Sequence, residues 1–467
     1  MIPDAFMVTG LIGRLPVPGN GRAAMLKRGV VGASRKADKT GCSSPDLYFY
    51  FNPNKGVRRE PDRLQKRGVA FVFPALLPTY NRTDVAFVRG EGSYLFAEDG
   101  KRYLDFGAGI AVNAFGHANP RLVAALTAQA NRLWHTSNLY RVPGQESLSK
   151  KLVANTFADT AFFTNSGTEA IELAIKMARR YQFVSGHPER FHIVSFEGAF
   201  HGRTYAAINA GGNEKYLEGF GPRMPGFDQV AAGDLDALNK VIGPQTAAII
   251  IEPLQGESGV RAIAPEFLRA LRKLCDDKGL LLIFDEIQTG LGRTGKFFAY
   301  DWLGFTPDIM TVAKALGGGF PVGAVLATAD AAKGMTVGTH GTTYGGNPLA
   351  MAVGNEAIDM ILEPGFLDHV NKTANYLHQQ LGALVAGHPG VFESVRGQGL
   401  MMGLKMKSSS TEFIDAARAN GLVVLPAGDN VVRLLPPLTL SEAEAREGIE
   451  LLNKTASQME AQRAAAQ

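Results

Sequence analysis

The chain has little cysteine, no long apolar run and no histidines at metal-binding spacings. Its 467 residues contain two cysteines, Cys42 and Cys275, which cannot build a disulfide framework. No apolar run approaches the ~18 residues of a membrane-spanning helix, and the nine histidines show no metal-ligand spacing. These absences argue against a disulfide-rich secreted domain, a membrane protein and a metal site.

A charge surplus of one sign is also missing from most of the chain. The net charge is +4, but residues 1–74 hold 13 of the 48 Lys and Arg and only 5 of the 44 Asp and Glu. The remainder is therefore mildly acidic, which gives no case for nucleic acid as a partner. The length, the 45% hydrophobic content and the 54 glycines fit a loop-rich α/β enzyme with two domains.

The basic segment 1–74 has no helical or strand period. It could be a disordered leader, an arginine-rich organellar targeting sequence, or the product of a start codon placed too early, with Met25 nearer the true start. We favour a leader or a misplaced start over targeting, and we expect a cytoplasmic protein.

Lys314 follows the apolar stretch 309–313 and precedes the glycines at 317–319. This pattern predicts a lysine at the end of a buried strand. Partial desolvation lowers the pKa of an amine and makes it a usable nucleophile toward carbonyls.

Asp285 ends a second apolar stretch, 280–284, and lies 29 residues before Lys314. That separation suits a crossover between two parallel strands. A buried carboxylate needs a positive partner, and a lysine for an aldehyde plus a carboxylate for a protonated ring nitrogen is what pyridoxal phosphate chemistry requires. Either residue alone would more often be a solvated lysine or a helix cap.

The segment 161–170 predicts an anion site. An apolar strand breaks at Asn-Ser-Gly, and Ser166 and Glu169 have capping-box spacing ahead of a helix with the buried stripe Ile171, Ala174, Ile175 and Ala178. Free N–H groups at the helix start attract an anion, and Gly167 and Thr168 can hold a phosphate.

Several separated motifs resemble the class III (ornithine-type) aminotransferases, which are fold type I pyridoxal phosphate enzymes, and within them most closely the acetylornithine aminotransferases. The likeness runs from about residue 75 to about 456. Its motifs are Gly-Ile-Ala-Val-Asn at 109–113, Asn-Ser-Gly-Thr-Glu-Ala at 165–170, Phe-His-Gly-Arg at 200–203, Ile-Glu-Pro-Leu-Gln-Gly-Glu at 251–257, Phe-Asp-Glu-Ile-Gln-Thr-Gly-Leu-Gly-Arg-Thr-Gly at 284–295, Ala-Lys-Ala-Leu-Gly-Gly-Gly at 313–319 and Thr-Thr-Tyr-Gly-Gly-Asn-Pro at 342–348.

The resemblance implies an α/β fold, with a large domain built on a mostly parallel seven-stranded sheet and a smaller α+β domain. We expect residues 75–134 to form an arm and part of the small domain, residues 135–344 the large cofactor-binding domain, and residues 345–467 the rest of the small domain.

The resemblance also implies the cofactor contacts. Lys314 would carry the cofactor covalently and Asp285 would pair with its ring nitrogen. Gln288 would bond the ring oxygen, and Phe200 would stack on the ring. Gly167 and Thr168 would hold the phosphate together with Thr343 of a second subunit, so a homodimer is expected.

Substrate binding would fall to Arg203 and Arg433. Arg203 would hold the substrate carboxylate as a bidentate partner. Arg433 stands alone in an apolar segment and should need a carboxylate partner. We expect Glu252 to mask Arg433 until 2-oxoglutarate presents a second carboxylate. Thr342 would touch the acylated nitrogen of the substrate.

The implied reaction moves the terminal amino group of N-acetylornithine to 2-oxoglutarate, as in arginine biosynthesis. The small residues at 109–113 leave room for an acylated nitrogen where ornithine aminotransferases tend to carry a tyrosine. Succinylornithine, ornithine, acetyllysine and 4-aminobutyrate remain alternative donors, and an aminomutase, epimerase or decarboxylase is a more distant alternative.

A rival motif covers 290–296. It matches the phosphotransferase P-loop Gly-x-x-x-x-Gly-Lys, but Phe297 stands where a Ser or Thr would hold magnesium. Five residues, 285–289, also separate it from the preceding strand. We therefore interpret these glycines as a loop beneath the cofactor.

Overall fold

The computed structural model describes residues 74–466. The three interpretations of the basic segment fall outside these residues, apart from its last position. Residues 74–81 contain no helix or strand, and the elements described below lie between residues 82 and 466.

The strands and helices alternate through the middle of the chain. The strands are β1 Phe87–Glu91, β2 Tyr94–Ala97, β3 Arg102–Asp105, β4 Thr160–Thr164, β5 His192–Phe196, β6 Phe227–Val230, β7 Thr246–Ile251, β8 Leu254–Gln255, β9 Arg261–Ala262, β10 Leu281–Asp285, β11 Ile309–Val312, β12 Gly323–Ala327, β13 Phe392–Gln398, β14 Met401–Met406, β15 Leu422–Val423, β16 Leu425–Ala427 and β17 Val431–Leu434. The helices are α1 Ala108–Ala111, α2 Pro120–Ala130, α3 Pro143–Ala154, α4 Gly167–Val184, α5 Tyr205–Gly211, α6 Glu214–Leu217, α7 Leu235–Val241, α8 Pro265–Lys278, α9 Ala329–Ala332, α10 Pro348–Leu362, α11 Phe366–Gly387, α12 Ser410–Ala419 and α13 Glu442–Ala466.

A seven-stranded sheet forms the centre, in the order β4-β12-β11-β10-β7-β5-β6. β12 runs antiparallel to both of its neighbours, while the pairs from β11 to β6 are parallel. Strands β7, β10, β11 and β12 are buried along their whole length. Such continuous apolar strands require cover on both faces, and the predicted mostly parallel seven-stranded sheet is confirmed.

Helices provide that cover. Along β10, Leu281 and Ile283 pack in the cluster that contains the apolar side of α4, whereas Leu282 and Phe284 pack in the cluster that contains α8. Alternate residues of a strand point to opposite faces, so α4 and α8 lie on opposite faces of the sheet.

One of the smaller sheets joins strands that are far apart in sequence. The hairpin of β1 and β2 pairs through β3 with β15, and a second sheet has the order β13-β14-β17-β16. The domain boundaries stay a prediction.

No helix in the described part of the chain is long and apolar enough to span a membrane, and the cytoplasmic location stays a prediction.

The turn α1 has left-handed rather than right-handed backbone geometry. Ala108, Gly109, Ile110 and Ala111 have φ angles of 43°, 62°, 66° and 61°. Left-handed geometry costs residues other than glycine roughly 1–2 kcal/mol each, so this turn needs support from outside its own sequence. Hereafter we call Ala108–Ala111 the left-handed turn.

The parallel strands deliver polar residues to one edge of the sheet. Glu252 follows β7, Asp285 ends β10, and Lys314 lies two residues after β11. β7, β10 and β11 are neighbours, and ligands bind outside the carboxyl ends of strands in open α/β sheets.

Candidate active site

A pocket of about 410 Å³ lies at this edge of the sheet. Eight of the residues predicted from sequence line it, and Arg433, Thr342 and Thr343 lie outside its lining. The eight are Gly167, Thr168, Phe200, Arg203, Glu252, Asp285, Gln288 and Lys314.

Lys314 lies in the pocket with strained backbone geometry. Its φ of 48° is left-handed, at the start of a 3₁₀ turn, Lys314–Leu316. Such strain is concentrated at functional sites. Burial, and then the positive charge of Arg433, lower the pKa of Lys314 to about 8. The direction of this shift agrees with the desolvation expected from the sequence.

The lowered pKa of Lys314 predicts a pH-dependent stability difference in the cofactor-free protein. An unfolded lysine has a pKa of about 10.4, so between pH 8 and pH 10 the unfolded state binds more protons and stability rises with pH. Lys314→Met removes this dependence. We expect the variant to be more stable than wild type at pH 7 by on the order of 2–3 kcal/mol, with the gap closing toward pH 10.5.

Urea unfolding of both proteins across this pH range measures that difference, since other titrating groups contribute equally to the two. A stability difference that stays constant with pH would show that the pKa of the Lys314 amine is not lowered.

Asp285 is anchored from two sides. Its Oδ2 lies 2.8 Å from His201 Nδ1, while its Oδ1 accepts hydrogen bonds from the Ile287 N–H (3.1 Å) and the Thr311 hydroxyl (3.2 Å). Burial alone would lower the pKa of His201, but the hydrogen bond and the charge of Asp285 outweigh it and raise this pKa. His201 therefore supports Asp285 and fixes its orientation.

The start of α4 also lines the pocket, through Ser166, Gly167 and Thr168. The Ser166 hydroxyl accepts the Glu169 N–H at 3.4 Å. The Glu169 carboxylate accepts the N–H of Asn165 instead of that of Ser166, so only half of the predicted capping box is present. The Thr168 hydroxyl accepts N–H groups of Arg203 and Thr204. Gly202 has a φ of 126° and no room for a Cβ beside Thr168.

The predicted pairing of Arg433 with Glu252 is wrong. Arg433, 2% exposed, donates to Glu257 Oε1 at 2.5 Å and to Gln288 Oε1 at 3.1 Å. The backbone explains the difference: the Glu257 carbonyl accepts the Gly428 N–H at 2.7 Å, which holds Glu257 beside the turn before β17. Glu252 directly follows β7 and lines the pocket without contacting Arg433.

Glu252 accepts the Phe200 N–H at 3.0 Å. Burial raises the pKa of Glu252 to about 7, against the opposing charge of His201. For Glu257, burial also favours the neutral form, but the charge and hydrogen bond of Arg433 hold its pKa below the ordinary value. The ionised partner of Arg433 is therefore Glu257, and Glu252 positions the backbone at Phe200.

Arg203 lies at the mouth of the pocket. Its guanidinium lies 3.8 Å from the ring centroid of Tyr216 and 5.6 Å from that of Phe200. No ion pair involves Arg203 among residues 74–466, so its charge is available to a substrate carboxylate.

Thr342 and Thr343 lie on a segment beside the pocket. The Thr342 hydroxyl accepts hydrogen bonds from Gly345 N–H (3.1 Å) and Asn165 Nδ2 (3.4 Å), while Thr343 is exposed. Their predicted roles remain predictions.

The rival P-loop interpretation does not match the geometry of 290–296. In a P-loop protein an α-helix follows the glycine-rich loop. Here a 3₁₀ turn, Ala299–Trp302, follows the segment instead. Lys296 is exposed, with its amine 5.0 Å from the ring centroid of Trp302.

Two residues of the site were missed by sequence reasoning. Glu257 was visible only as the last residue of the motif at 251–257. Arg293 is fully buried and donates to the carbonyls of Leu400 (3.1 Å) and Pro436 (2.6 Å). It thereby ties the loop after β10 to the residue that precedes β14 and to the segment that follows β17, the strand of Arg433. Its neighbours in sequence, Gly292 and Thr294, gave no sign of this burial.

The donor set fits pyridoxal phosphate. An amine of lowered pKa, a buried carboxylate for a ring nitrogen and the free N–H groups of an 18-residue helix surround one pocket. Arg433 Nε is buried and has no hydrogen-bond partner among the described residues.

Known proteins of one family resemble the chain over most of its length. A family model described as aminotransferase class III matches residues 78–456. The acetylornithine aminotransferase of Agrobacterium fabrum is 59% identical over 389 residues, covering 83% of this chain and 98% of that protein.

Solved structures give the same result. The N-acetylornithine aminotransferase of Stenotrophomonas maltophilia aligns with a TM-score of 0.72 at 36% identity, covering 82% of this chain and 98% of that one. An ornithine aminotransferase from Toxoplasma gondii, with partial occupancy of pyridoxal phosphate at its active site, aligns with a TM-score of 0.79 at 31% identity, covering 82% and 93%.

Proposed function

Because the chain belongs to the class III aminotransferases, we propose that it transfers the terminal amino group of N2-acetyl-L-ornithine to 2-oxoglutarate. The products are N-acetylglutamate 5-semialdehyde and L-glutamate. The observation that carries the proposal is a pocket lined by a lysine of lowered pKa and by Arg203, with Arg433 bonded to the lining residue Gln288 and paired with Glu257. Such a site can take one-carboxylate and two-carboxylate substrates in turn.

Pyridoxal phosphate is the cofactor. When bound, it supplies an aldehyde for the substrate amine and a protonated ring that withdraws electrons. We assign Lys314 to carry it, Asp285 to keep its ring nitrogen protonated, Gln288 to bond its ring oxygen, Phe200 to cover its face, and Gly167 and Thr168 to hold its phosphate.

Lys314 is also the base in this proposal. Its amine, once free, takes the proton from the carbon that bears the substrate's amine and later returns a proton. The pKa of about 8 suits both directions near neutral pH. Asp285 stays in place throughout because His201 and Thr311 hold both of its oxygens.

The substrate carboxylates are divided between two arginines. Arg203 takes the carboxylate of N-acetylornithine as a bidentate partner, while Glu257 neutralises Arg433. When 2-oxoglutarate binds, Glu257 moves away and Arg433 takes the second carboxylate. The partial exposure of the Glu257 side chain, 33%, against 2% for Arg433, supports Glu257 as the partner that moves.

We further propose a homodimer in which Thr343 completes the phosphate site of the partner subunit. Two exposed segments support this arrangement. Leu139 and Tyr140 are 88% and 70% exposed, and Val337 and Tyr344 are also exposed. Asn138 Nδ2 joins the two segments by donating to the carbonyls of Thr342 and Gly345. This contact brings the segment of Leu139 and Tyr140 beside that of Tyr344, and exposed apolar side chains in neighbouring segments are typical of an interface.

Adding N-acetylornithine without any keto acid should bleach the visible absorbance of the cofactor-loaded enzyme in a single half-reaction. Later addition of 2-oxoglutarate should restore it. Spectra recorded with N-acetylornithine, succinylornithine, ornithine, acetyllysine and 4-aminobutyrate in parallel would rank the donors by rate.

The outcome separates the alternatives. Fastest bleaching by ornithine or 4-aminobutyrate keeps the family and contradicts the proposed donor. Bleaching without recovery on addition of 2-oxoglutarate would contradict the role given to the second arginine.

A further inference from the structure

Asp105, at the end of β3, is buried beneath the left-handed turn and takes no part in the proposed reaction. It is 1% exposed. Its Oδ1 accepts the N–H groups of Gly107 (2.8 Å) and Ala108 (2.9 Å), and its Oδ2 lies 2.7 Å from His117 Nε2. The carboxylate thus accepts the backbone N–H groups at the start of the turn, and His117 holds the carboxylate in place.

The turn would not adopt this geometry by itself. Three of its four residues carry a Cβ, and Ile110 is β-branched, a residue type for which φ above zero is an outlier. Ile110 is also 42% exposed, so packing of its side chain gives limited compensation. The two hydrogen bonds to the Asp105 side chain add to the turn's own backbone hydrogen bonds, such as those from Ile110 and Ala111 to the Gly107 carbonyl, in opposing its relaxation.

His117 is a fixed support for that carboxylate. The backbone N–H of His117 donates to the Gly92 carbonyl at 2.7 Å, and the backbone carbonyl of His117 accepts the Gly92 N–H at 3.0 Å. Gly90 packs so closely that a Cβ there would lie 2.5 Å from the Cβ of His117. The imidazole therefore has little freedom, and it fixes the orientation of Asp105.

The left-handed turn also positions one wall of the pocket. The Val112 N–H donates to the Ala108 carbonyl at 2.8 Å, and Val112 lines the pocket. Ala111 packs with Val431 and Leu435, which flank Arg433 along the chain. Relaxation of the turn would therefore move an apolar wall that faces the substrate.

We propose that Asp105, oriented by His117, is a positioning residue that holds the left-handed turn and thereby sets the enzyme's selectivity among amino donors. The proposal rests on the proposed function, because it takes the wall at Val112 to face the acylated end of the donor. Neither residue touches substrate or cofactor in this arrangement.

The test is the ratio of kcat/KM for N-acetylornithine to kcat/KM for ornithine, measured beside thermal unfolding. Asp105→Ala should lower this ratio about tenfold, the size expected when an apolar wall is displaced. Asp105→Asn keeps an oxygen for the two N–H groups and should retain most of the ratio. Val112→Ala changes the wall without changing its support and should lower the ratio as well.

Asp308, which contacts the start of β10, provides a matched control. Asp308 also accepts a backbone N–H, from Leu282, and pairs with a cationic side chain, Arg272. Asp308→Ala should lower the melting temperature and leave the donor ratio unchanged.

A rescue variant tests the mechanism. Glycine adopts left-handed geometry without strain, so Ile110→Gly added to Asp105→Ala should restore most of the ratio that Asp105→Ala loses.

A ratio that is unchanged in Asp105→Ala or Val112→Ala, or that is lowered equally by Asp308→Ala, would overturn the proposal. So would a double variant without recovery. Failure of the proposed function shows differently: wild type would then prefer another donor, and the donor ratio would still respond to the Asp105 variants if the positioning role holds.

Discussion

Replacing Lys314 with alanine should reduce the rate of transamination by roughly 10⁴-fold or more, with the fold intact. Lys314 is the one lysine among the described residues that line the pocket. Its amine has a pKa lowered to about 8 by burial and by the charge of Arg433, and alanine leaves the pocket without a nucleophile for the cofactor and without the proposed base. Both half-reactions should fail together.

Steady-state rates and borohydride labelling together check this result. Reduction should fix the cofactor to a peptide containing Lys314 in wild type and to no peptide in Lys314→Ala. Lys296→Ala is the matched control, because Lys296 is the exposed lysine of the rival P-loop motif. It should keep both the label and the activity.

An active, labelled Lys314→Ala protein would refute the assignment of the cofactor lysine. Loss of label and activity in Lys296→Ala with Lys314→Ala unaffected would place the cofactor on Lys296 instead.

The site residues that sequence reasoning located are those fixed by local pattern. Lys314 and Asp285 each follow a buried apolar strand, and parallel strands deliver their carboxyl ends to one edge whatever the loops do. Gly167 lies at a helix start that the Ser166–Glu169 spacing marks. Strand periodicity and helix punctuation are local, so these positions could be predicted without knowing the tertiary structure.

The parts that sequence reasoning missed depend on long-range contacts. Arg433 and Glu257 are 176 residues apart, and both Glu252 and Glu257 belong to the same short motif. The choice between them is decided by the contact between Glu257 and Gly428, which no periodicity reveals. The left-handed turn could not be predicted for the same reason. Ile110 disfavours a positive φ, and the turn is held by contacts with Asp105 and His117 that the local sequence does not show.

Arg433→Met should separate the two half-reactions. The N-acetylornithine half-reaction needs no second carboxylate site and should change little. The 2-oxoglutarate half-reaction should lose roughly 10²- to 10³-fold in kcat/KM, the usual cost of removing one member of a buried charge pair. Single-turnover absorbance measurements, with each substrate mixed separately with the enzyme, give both values.

The two glutamates then decide which carboxylate masks Arg433. Glu257→Gln leaves Arg433 without its ion-pair partner, so discrimination against two-carboxylate amino acids in the donor half-reaction should weaken. Glu252→Gln should leave that discrimination in place, since Glu252 accepts the Phe200 N–H and its pKa of about 7 already favours a partly protonated carboxyl. If Glu252→Gln weakens the discrimination and Glu257→Gln does not, the pairing seen here is not the one that governs substrate choice.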